Sequence, residues 1–121
     1  MRAVLLVGLL GTNPAFAANE PASRPSNGRF ALHAEACKAN DIFLTLKDDR
    51  IDLPVFSCTR LAFKPVSARG DTAVWDVAAK HCEGEEGKPG PQRFKLEAKG
   101  TSLRILWSDG AKSAPLMRCG K

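Results

Sequence analysis

The sequence predicts a mainly β domain, a small antiparallel barrel or sandwich built as a meander of about seven or eight short strands and held by two disulfides. Along most of the chain, apolar and polar residues alternate with a period of two, as in strands with one buried face. Turn residues separate the alternating segments at short intervals. Four cysteines follow a segment typical of an export signal, and an even cysteine number in a small exported domain indicates a disulfide framework.

The first 17 residues have the three parts of a secretory signal. Arg2 gives a basic start, residues 3–10 are mostly apolar, and Ala15-Phe16-Ala17 places small residues at the positions that a signal peptidase recognises. The apolar run is shorter than the roughly 20 residues that cross a bilayer. We therefore expect cleavage after Ala17 and a periplasmic or secreted product with no membrane span.

Cleavage would leave 104 residues, enough for one domain. Residues 18–27 are rich in Pro, Ser and Ala and are expected to form a flexible or extended lead. Residues 28–121 are expected to form a single disulfide-stapled β domain.

The first strands are predicted from short alternating segments. Residues 30–39 alternate and favour a strand running into a bend, although their alanines, with Glu35 and Lys38, would also suit a short helix. Residues 42–47 alternate and end at the turn Asp48-Asp49. The segment 53–56 is expected to continue as a strand toward Cys58.

The central and last strands follow the same pattern. Alternation predicts strands over 61–65, 74–79, 94–98, 103–107 and 116–119. Turns are expected near Gly70, at Lys99-Gly100 and at Asp109-Gly110, and residues 83–91 form a long loop with three glycines and two prolines. Two successive turns between alternating segments are a strong hairpin signal.

Four cysteines allow three pairings. Cys58 and Cys82 lie equally far from the predicted turn near Gly70, so an antiparallel hairpin would place them opposite each other. Cys37 and Cys119 would then join the first strand to the last. We favour this nested pairing, and sequential pairing of Cys37 with Cys58 and of Cys82 with Cys119 is the alternative.

The chain carries a formal net charge of +5, and its basic residues are scattered rather than clustered. Nucleic-acid binding would require clustering, so we expect none. Scattered cations are typical of the solvated face of a sheet. The alternative is a weak attraction to an anionic envelope polymer or to an acidic envelope protein.

Motifs for cofactors and catalysis are missing from the sequence. His81-Cys82 and the glutamates after them lack the close ligand repeats of zinc sites and the spacing of calcium loops, so no metal and no cofactor is expected. A nucleophilic triad could draw on Ser, His and Asp residues, but none lies in a nucleophile elbow. The candidates are Ser57, Ser108, His33, His81, Asp76 and Asp109. We expect a protein that is not an enzyme and has no catalytic residues.

Two features remain as candidates for recognition. Trp75 and Trp107 alternate with aliphatic residues, which favours core positions over ligand stacking. The loop 83–91 is the candidate binding surface, because irregular loops on rigid scaffolds often carry binding. Its alternative role is a simple connector. The candidate contact residues in this loop are Glu83, Glu85, Glu86 and Lys88.

The surroundings of the cysteines resemble those in small exported alphaproteobacterial proteins of unknown function with a four-cysteine pattern. The matching segments are Gly28-Arg29-Phe30-Ala31, Ser57-Cys58, Cys82-Glu83-Gly84-Glu85-Glu86-Gly87, Leu103-Arg104-Ile105 and Arg118-Cys119. Phe30 stands where that family has Trp. The resemblance covers residues 28–119 and implies an exported, disulfide-bonded domain without implying an activity.

Periplasmic lysozyme inhibitors are similar at a greater distance, in size, fold class and compartment. Their Ser-Gly-x-x-Tyr segment is absent here, because the chain contains no tyrosine. The sequence thus leads us to expect a non-catalytic binding protein of the bacterial cell envelope. An inhibitor of a cell-wall hydrolase and a structural or stress-related envelope protein are the alternatives.

Overall fold

Eight antiparallel strands form a closed barrel in which each strand pairs with its neighbours in sequence and the last pairs with the first. The computed structural model describes residues 22–84 and 87–120. The strands are β1 (Gly28–Ala31), β2 (Leu44–Lys47), β3 (Arg50–Leu53), β4 (Phe56–Arg69), β5 (Thr72–Gly84), β6 (Gly90–Lys99), β7 (Ser102–Trp107) and β8 (Leu116–Arg118), and one helix, α1 (Ala34–Lys38), lies between β1 and β2. The predicted fold class is confirmed, and the barrel is closed.

The barrel interior is a single hydrophobic core. Alternate residues of each strand point inward, as the period-two pattern predicts. No polar or charged residue is buried in the part of the chain that the structure describes. The buried cluster consists of Phe30, Leu44, Leu46, Ile51, Cys58, Leu61, Trp75, Val77, Ala79, Cys82, Phe94, Leu96, Leu103, Ile105 and Leu116.

Both disulfides have the favoured nested pairing. Cys58 and Cys82 are direct cross-strand partners of β4 and β5, with their Cα atoms 4.0 Å apart. Cys37 and Cys119 are bonded with a Cα separation of 5.3 Å. The second bridge ties α1 to the end of β8, beside the contact between β8 and β1.

The strand predicted over residues 30–39 is wrong beyond Ala31, because a short helix follows. The ring of His33 accepts a hydrogen bond from the backbone N–H of Ala36 at 3.3 Å and so caps the helix. Asn40, with φ +60°, ends it. Ala31 and Ala36 are buried outside the barrel cluster, where the helix contacts β1. Contact with the barrel thus supports a helix too short to be stable alone.

The hairpin of β4 and β5 is longer than the predicted strands. The pairing runs from Phe56 with Gly84 to Arg69 with Thr72, around a turn at Gly70 whose φ is +56°. The expectation that 53–56 is a continuous strand is wrong: Leu53 pairs with Phe56, so residues 54 and 55 form a tight turn. Proline cannot donate to a ladder, which explains why the strand is interrupted there.

The barrel has two different ends. At one, which we call the upper end, lie the connections 32–43, 54–55 and 108–115, the end of β5 and the start of β6. At the other, the lower end, lie the tight turns 48–49, 70–71 and 100–101.

The lower end is covered by residues 22–27, the described part of the predicted lead. The carbonyl of Ala22 accepts a hydrogen bond from the indole N–H of Trp75 at 2.9 Å. The guanidinium of Arg24 lies 4.8 Å from the ring centre of Phe63. The side-chain oxygen of Asn27 accepts the backbone N–H of Asp48 at 2.9 Å. The predicted signal, residues 1–17, lies outside the described residues.

Candidate functional site

An apolar cleft opens at the upper end of the barrel. Its volume is about 610 Å³, within the roughly 300–1,000 Å³ of small-molecule sites, which are frequent in the mouths of β-barrels. Most of its lining is aliphatic or aromatic, and only two lining side chains are polar. The cleft is lined by Phe43, Leu53, Pro54, Val55, Phe56, Gln92, Ile105, Trp107 and Ser113.

The cleft connects the core to the solvent. Its deepest lining residue, Ile105, belongs to the core and is 1% exposed. On the rim, Leu53, Phe56 and Trp107 are half-buried, and Val55 is 57% exposed at the tip of the turn between β3 and β4. Apolar side chains left open to water in this way commonly mark an interaction site.

Trp107 is held at the rim by its backbone and by two aromatic neighbours. Its N–H donates to the carbonyl of Ala111 at 2.8 Å, and its carbonyl accepts the N–H of Gly110 at 3.0 Å. Its ring centre is 5.8 Å from that of Phe56, edge to face, and 5.6 Å from that of Phe94. The indole is therefore a preorganised wall of the cleft.

The connection 108–115 folds back along β7 and gives the rim a second fixed side. The N–H of Ser113 donates to the carbonyl of Ile105 at 2.9 Å, and the Ser113 hydroxyl accepts the Ile105 N–H at 3.0 Å. The carboxylate of Asp109 accepts the N–H of Ala111 at 2.9 Å and stabilises the turn. These bonds position Ser113 in the lining without help from a ligand.

Acidic side chains flank one side of the cleft. Asp52 and Glu83 line a shallow depression that shares the turn between β3 and β4 with the cleft. The carboxylate of Asp52 lies 3.1 Å from the guanidinium of Arg50. It accepts a hydrogen bond from this guanidinium and adds a nearby negative charge, and both effects raise the pKa of Arg50. Glu83 contacts the His81 ring nitrogen at 2.8 Å. Both acids thus have a partner.

Basic side chains flank the other side. A depression of about 400 Å³ shares Trp107 with the cleft and is lined also by Asp76, Arg93, Lys95 and Ser108. The ammonium of Lys95 pairs with Asp76 at 3.1 Å. Arg93 forms no salt bridge with any acidic side chain in the described ranges. We call this group of residues the cationic depression.

The described residues of the predicted binding loop, 83–84 and 87–91, do not line the cleft. Gln92, just after the loop, lines the cleft, and Glu83 lines the acidic depression. Lys88 is exposed and lines neither. Glu85 and Glu86 lie outside the described residues.

The two tryptophans differ in environment. Trp75 is in the core and 4% exposed, as predicted. The prediction of a core position for Trp107 is confirmed only in part: the residue packs against the core cluster but is half-buried and lies on the cleft rim. It is the last residue of β7, and the aromatic and apolar residues that meet it come from distant parts of the chain.

The remaining candidate groups have local roles. His33 caps α1 and His81 contacts Glu83. Within residues 22–84 and 87–120, no three His, Cys, Asp or Glu side chains converge as a metal site would require. In the same residues, no helix has the length and apolar character needed to cross a bilayer.

Comparisons of the chain with protein-family models, with curated proteins and with solved structures find no match.

Proposed function

We propose that the chain is an exported, non-catalytic binding protein of the bacterial cell envelope, and that the apolar cleft at the upper end of its barrel is the binding site. The observation that carries this proposal is the open rim formed by Leu53, Val55, Phe56 and Trp107 above a buried floor at Ile105. Water in contact with such a rim is released when an apolar ligand replaces it, which favours binding.

Export is supported by the two disulfides together with the signal-like first 17 residues. Structural disulfides persist in oxidising compartments and are rare in the cytosol. The resemblance to small exported four-cysteine proteins points the same way. Binding rather than catalysis is supported by the chemistry of the lining, which offers Gln92 and Ser113 as its polar side chains and no acid or base.

Titration of residues 18–121, both disulfides formed, with the uncharged fluorescent probe N-phenyl-1-naphthylamine tests this proposal. We expect a saturable rise in probe fluorescence as the probe enters the cleft. Val55→Asp places a charge on the rim and should weaken probe affinity at least about tenfold, since a charge next to a bound apolar group must lose water.

Val66→Asp is the matched control, because Val66 is 49% exposed on β4 and does not line the cleft. It should bind the probe as the natural chain does. Absence of saturable binding, or equal weakening by the two substitutions, would exclude the cleft as the site.

A further inference from the structure

Trp107 is a lining residue of both the cleft and the cationic depression. From this juxtaposition we infer that the ligand is a single-chain amphiphile with an anionic head, whose hydrocarbon chain lies in the cleft and whose head contacts Arg93. This inference rests on the proposed function and names the chemical class of its ligand.

The two surfaces are close enough for one small molecule to contact both. Gln92 and Arg93 are consecutive residues of β6, and consecutive residues rise by about 3.3 Å along a strand. Gln92 lines the cleft, whereas Arg93 lines the depression on the outer side of the barrel. A ligand chain leaving the cleft past Trp107 therefore places its head beside the Arg93 guanidinium.

The charges around the depression favour an anion. Lys95 is paired with Asp76, whereas Arg93 is exposed and has no salt-bridge partner among the described acids. Lys112 is also exposed. It forms an isolated antiparallel β-bridge with Leu106, which lines the depression, so its positive charge lies near the depression. A guanidinium offers two parallel N–H donors to a carboxylate or phosphate head.

The opposite side of the cleft disfavours the reverse orientation of the ligand. Asp52 and Glu83 lie there and already have Arg50 and His81 as partners. A cationic head placed on that side would compete with existing ion pairs. An anionic head placed there would meet two carboxylates. The cleft thus has one side suited to an anion and one side that repels it.

The lining of the cleft favours a hydrocarbon chain over a polar polymer. A glycan or a polar peptide carries many donors and acceptors, and the lining offers only Gln92 and Ser113 as side-chain partners. The Ser113 hydroxyl already accepts from Ile105 and donates to Ala114. Unpaired polar groups in an apolar site are costly, whereas methylene groups gain about 0.8 kcal/mol each on burial.

Displacement of N-phenyl-1-naphthylamine by three ligands with the same ten-carbon chain tests the inference. Decanoate and decyltrimethylammonium are used below their critical micelle concentrations and 1-decanol below its solubility limit. The three ligands differ in the charge of the head group, and the carboxyl carbon is the tenth carbon of decanoate. We expect decanoate to displace the probe about tenfold more effectively than decanol, as one charge-assisted contact allows, and the cationic ligand to be weakest. The advantage of decanoate should decrease as salt is added.

Arg93→Gln should reduce the affinity for decanoate to that for decanol and leave decanol unchanged. Lys80→Gln is the matched control, because Lys80 is an exposed cation of β5 that lines neither surface. It should leave all three affinities unchanged, so a fall with Arg93→Gln alone identifies a specific contact rather than a change in net charge.

Outcomes that overturn the inference differ from those that overturn the proposed function. The inference is wrong if the probe binds but the three ligands displace it equally well, or if Arg93→Gln does not change the affinity for decanoate. The proposal that the cleft is an apolar binding site is then retained. The same holds if phosphatidylglycerol vesicles sediment the protein while decanoate does not displace the probe. If the probe itself does not bind, both are wrong.

Discussion

Arg60 is the one residue within a described strand that is not glycine and has a positive φ, +58°. It lies where β4 changes register against β3: Ile51 pairs with Cys58, but the N–H of Leu61 donates to the carbonyl of Asp49. One extra residue of β4 is therefore accommodated as a bulge, which increases the twist of the strand. The left-handed conformation costs an L-residue about 1–2 kcal/mol.

Arg60→Gly should increase the free energy of unfolding by about 1 kcal/mol, because glycine adopts this conformation without a steric penalty. The Arg60 side chain is exposed, so little packing is lost. Urea denaturation of the oxidised domain measures the change.

Lys80→Gly is the control on the neighbouring strand, because Lys80 is exposed and its φ is not positive. It should decrease the free energy of unfolding, since glycine in a regular strand costs conformational entropy and packing. Equal destabilisation by both substitutions would show that Arg60 is not strained.

The burial of a single residue could be predicted from the sequence where it follows from the alternation along a strand. It could not be predicted where it depends on contacts with distant parts of the chain. Trp75 lies within an alternating segment, and its core position could be predicted. Trp107 also alternates, but it ends its strand, and its exposure depends on Phe56 and on the fold of residues 108–115. Arg93 resembles every other scattered cation until the barrel places it beside the cleft.

At the scale of elements, the contact between β1 and β8 closes the barrel and joins the two ends of the domain. Phe30 pairs with Arg118, and the N–H of Cys119 donates to the carbonyl of Arg29 at 2.7 Å. The guanidinium of Arg118 lies 4.9 Å from the ring centre of Phe30 and donates to the carbonyl of Asn27 at 2.9 Å. The first and last strands of the domain are thus neighbours in space.

Gly28 makes room for this arrangement, because a Cβ atom at this position would overlap the Arg118 guanidinium. Gly28→Ala should displace the flexible arginine and cost about 1 kcal/mol of stability, the approximate value of its cation–π contact and hydrogen bond. Arg118→Ala should cost a similar amount.

The double variant tests whether the two residues act together. If displacement of Arg118 is the whole cost of Gly28→Ala, the double variant should be no less stable than Arg118→Ala alone, giving a coupling energy near 1 kcal/mol. Additive losses in urea denaturation would instead show that the alanine disturbs the backbone of β1 independently of Arg118.

Elements could be predicted from the sequence where their own residues determine them. The hairpin of β6 and β7 follows from regular alternation on both sides of the turn near Gly100, whose φ is +60°. The sequence could not distinguish the helix α1 from a strand, because its alanines fit both the strand period of two residues and the helical period of 3.6 residues. Its conformation depends on the His33 cap, on contact with β1 and on the Cys37 disulfide.

At the scale of the whole molecule, the two ends of the barrel differ in how far they are covered. The lower end is covered by residues 22–27, with Pro25 buried and Trp75 hydrogen-bonded. The upper end leaves apolar side chains open around Trp107. The strand pattern and the cysteines of the sequence predict a small barrel or sandwich. They do not show which end of the barrel is open, because both ends consist of turns and loops.

The two disulfides should be reduced in a fixed order in the folded protein. Their sequence separations, 82 and 24 residues, give chain-entropy contributions on the order of 3–5 kcal/mol each, which differ by only about 1 kcal/mol. Access to the attacking thiolate therefore decides the order. Cys58 and Cys82 are 0% and 2% exposed within the core, whereas Cys37 and Cys119 are half-buried at the surface.

Dithiothreitol under native conditions, followed by pulses of iodoacetamide and peptide mapping, measures this order. We expect Cys37 and Cys119 to be alkylated at least about tenfold faster than Cys58 and Cys82, because the inner bridge becomes accessible only when the barrel opens. In concentrated guanidinium chloride, where the barrel is unfolded, the difference should disappear. Equal rates in the folded protein would mean that loss of the outer bridge opens the whole barrel, so that the bond between α1 and β8 controls access to the core.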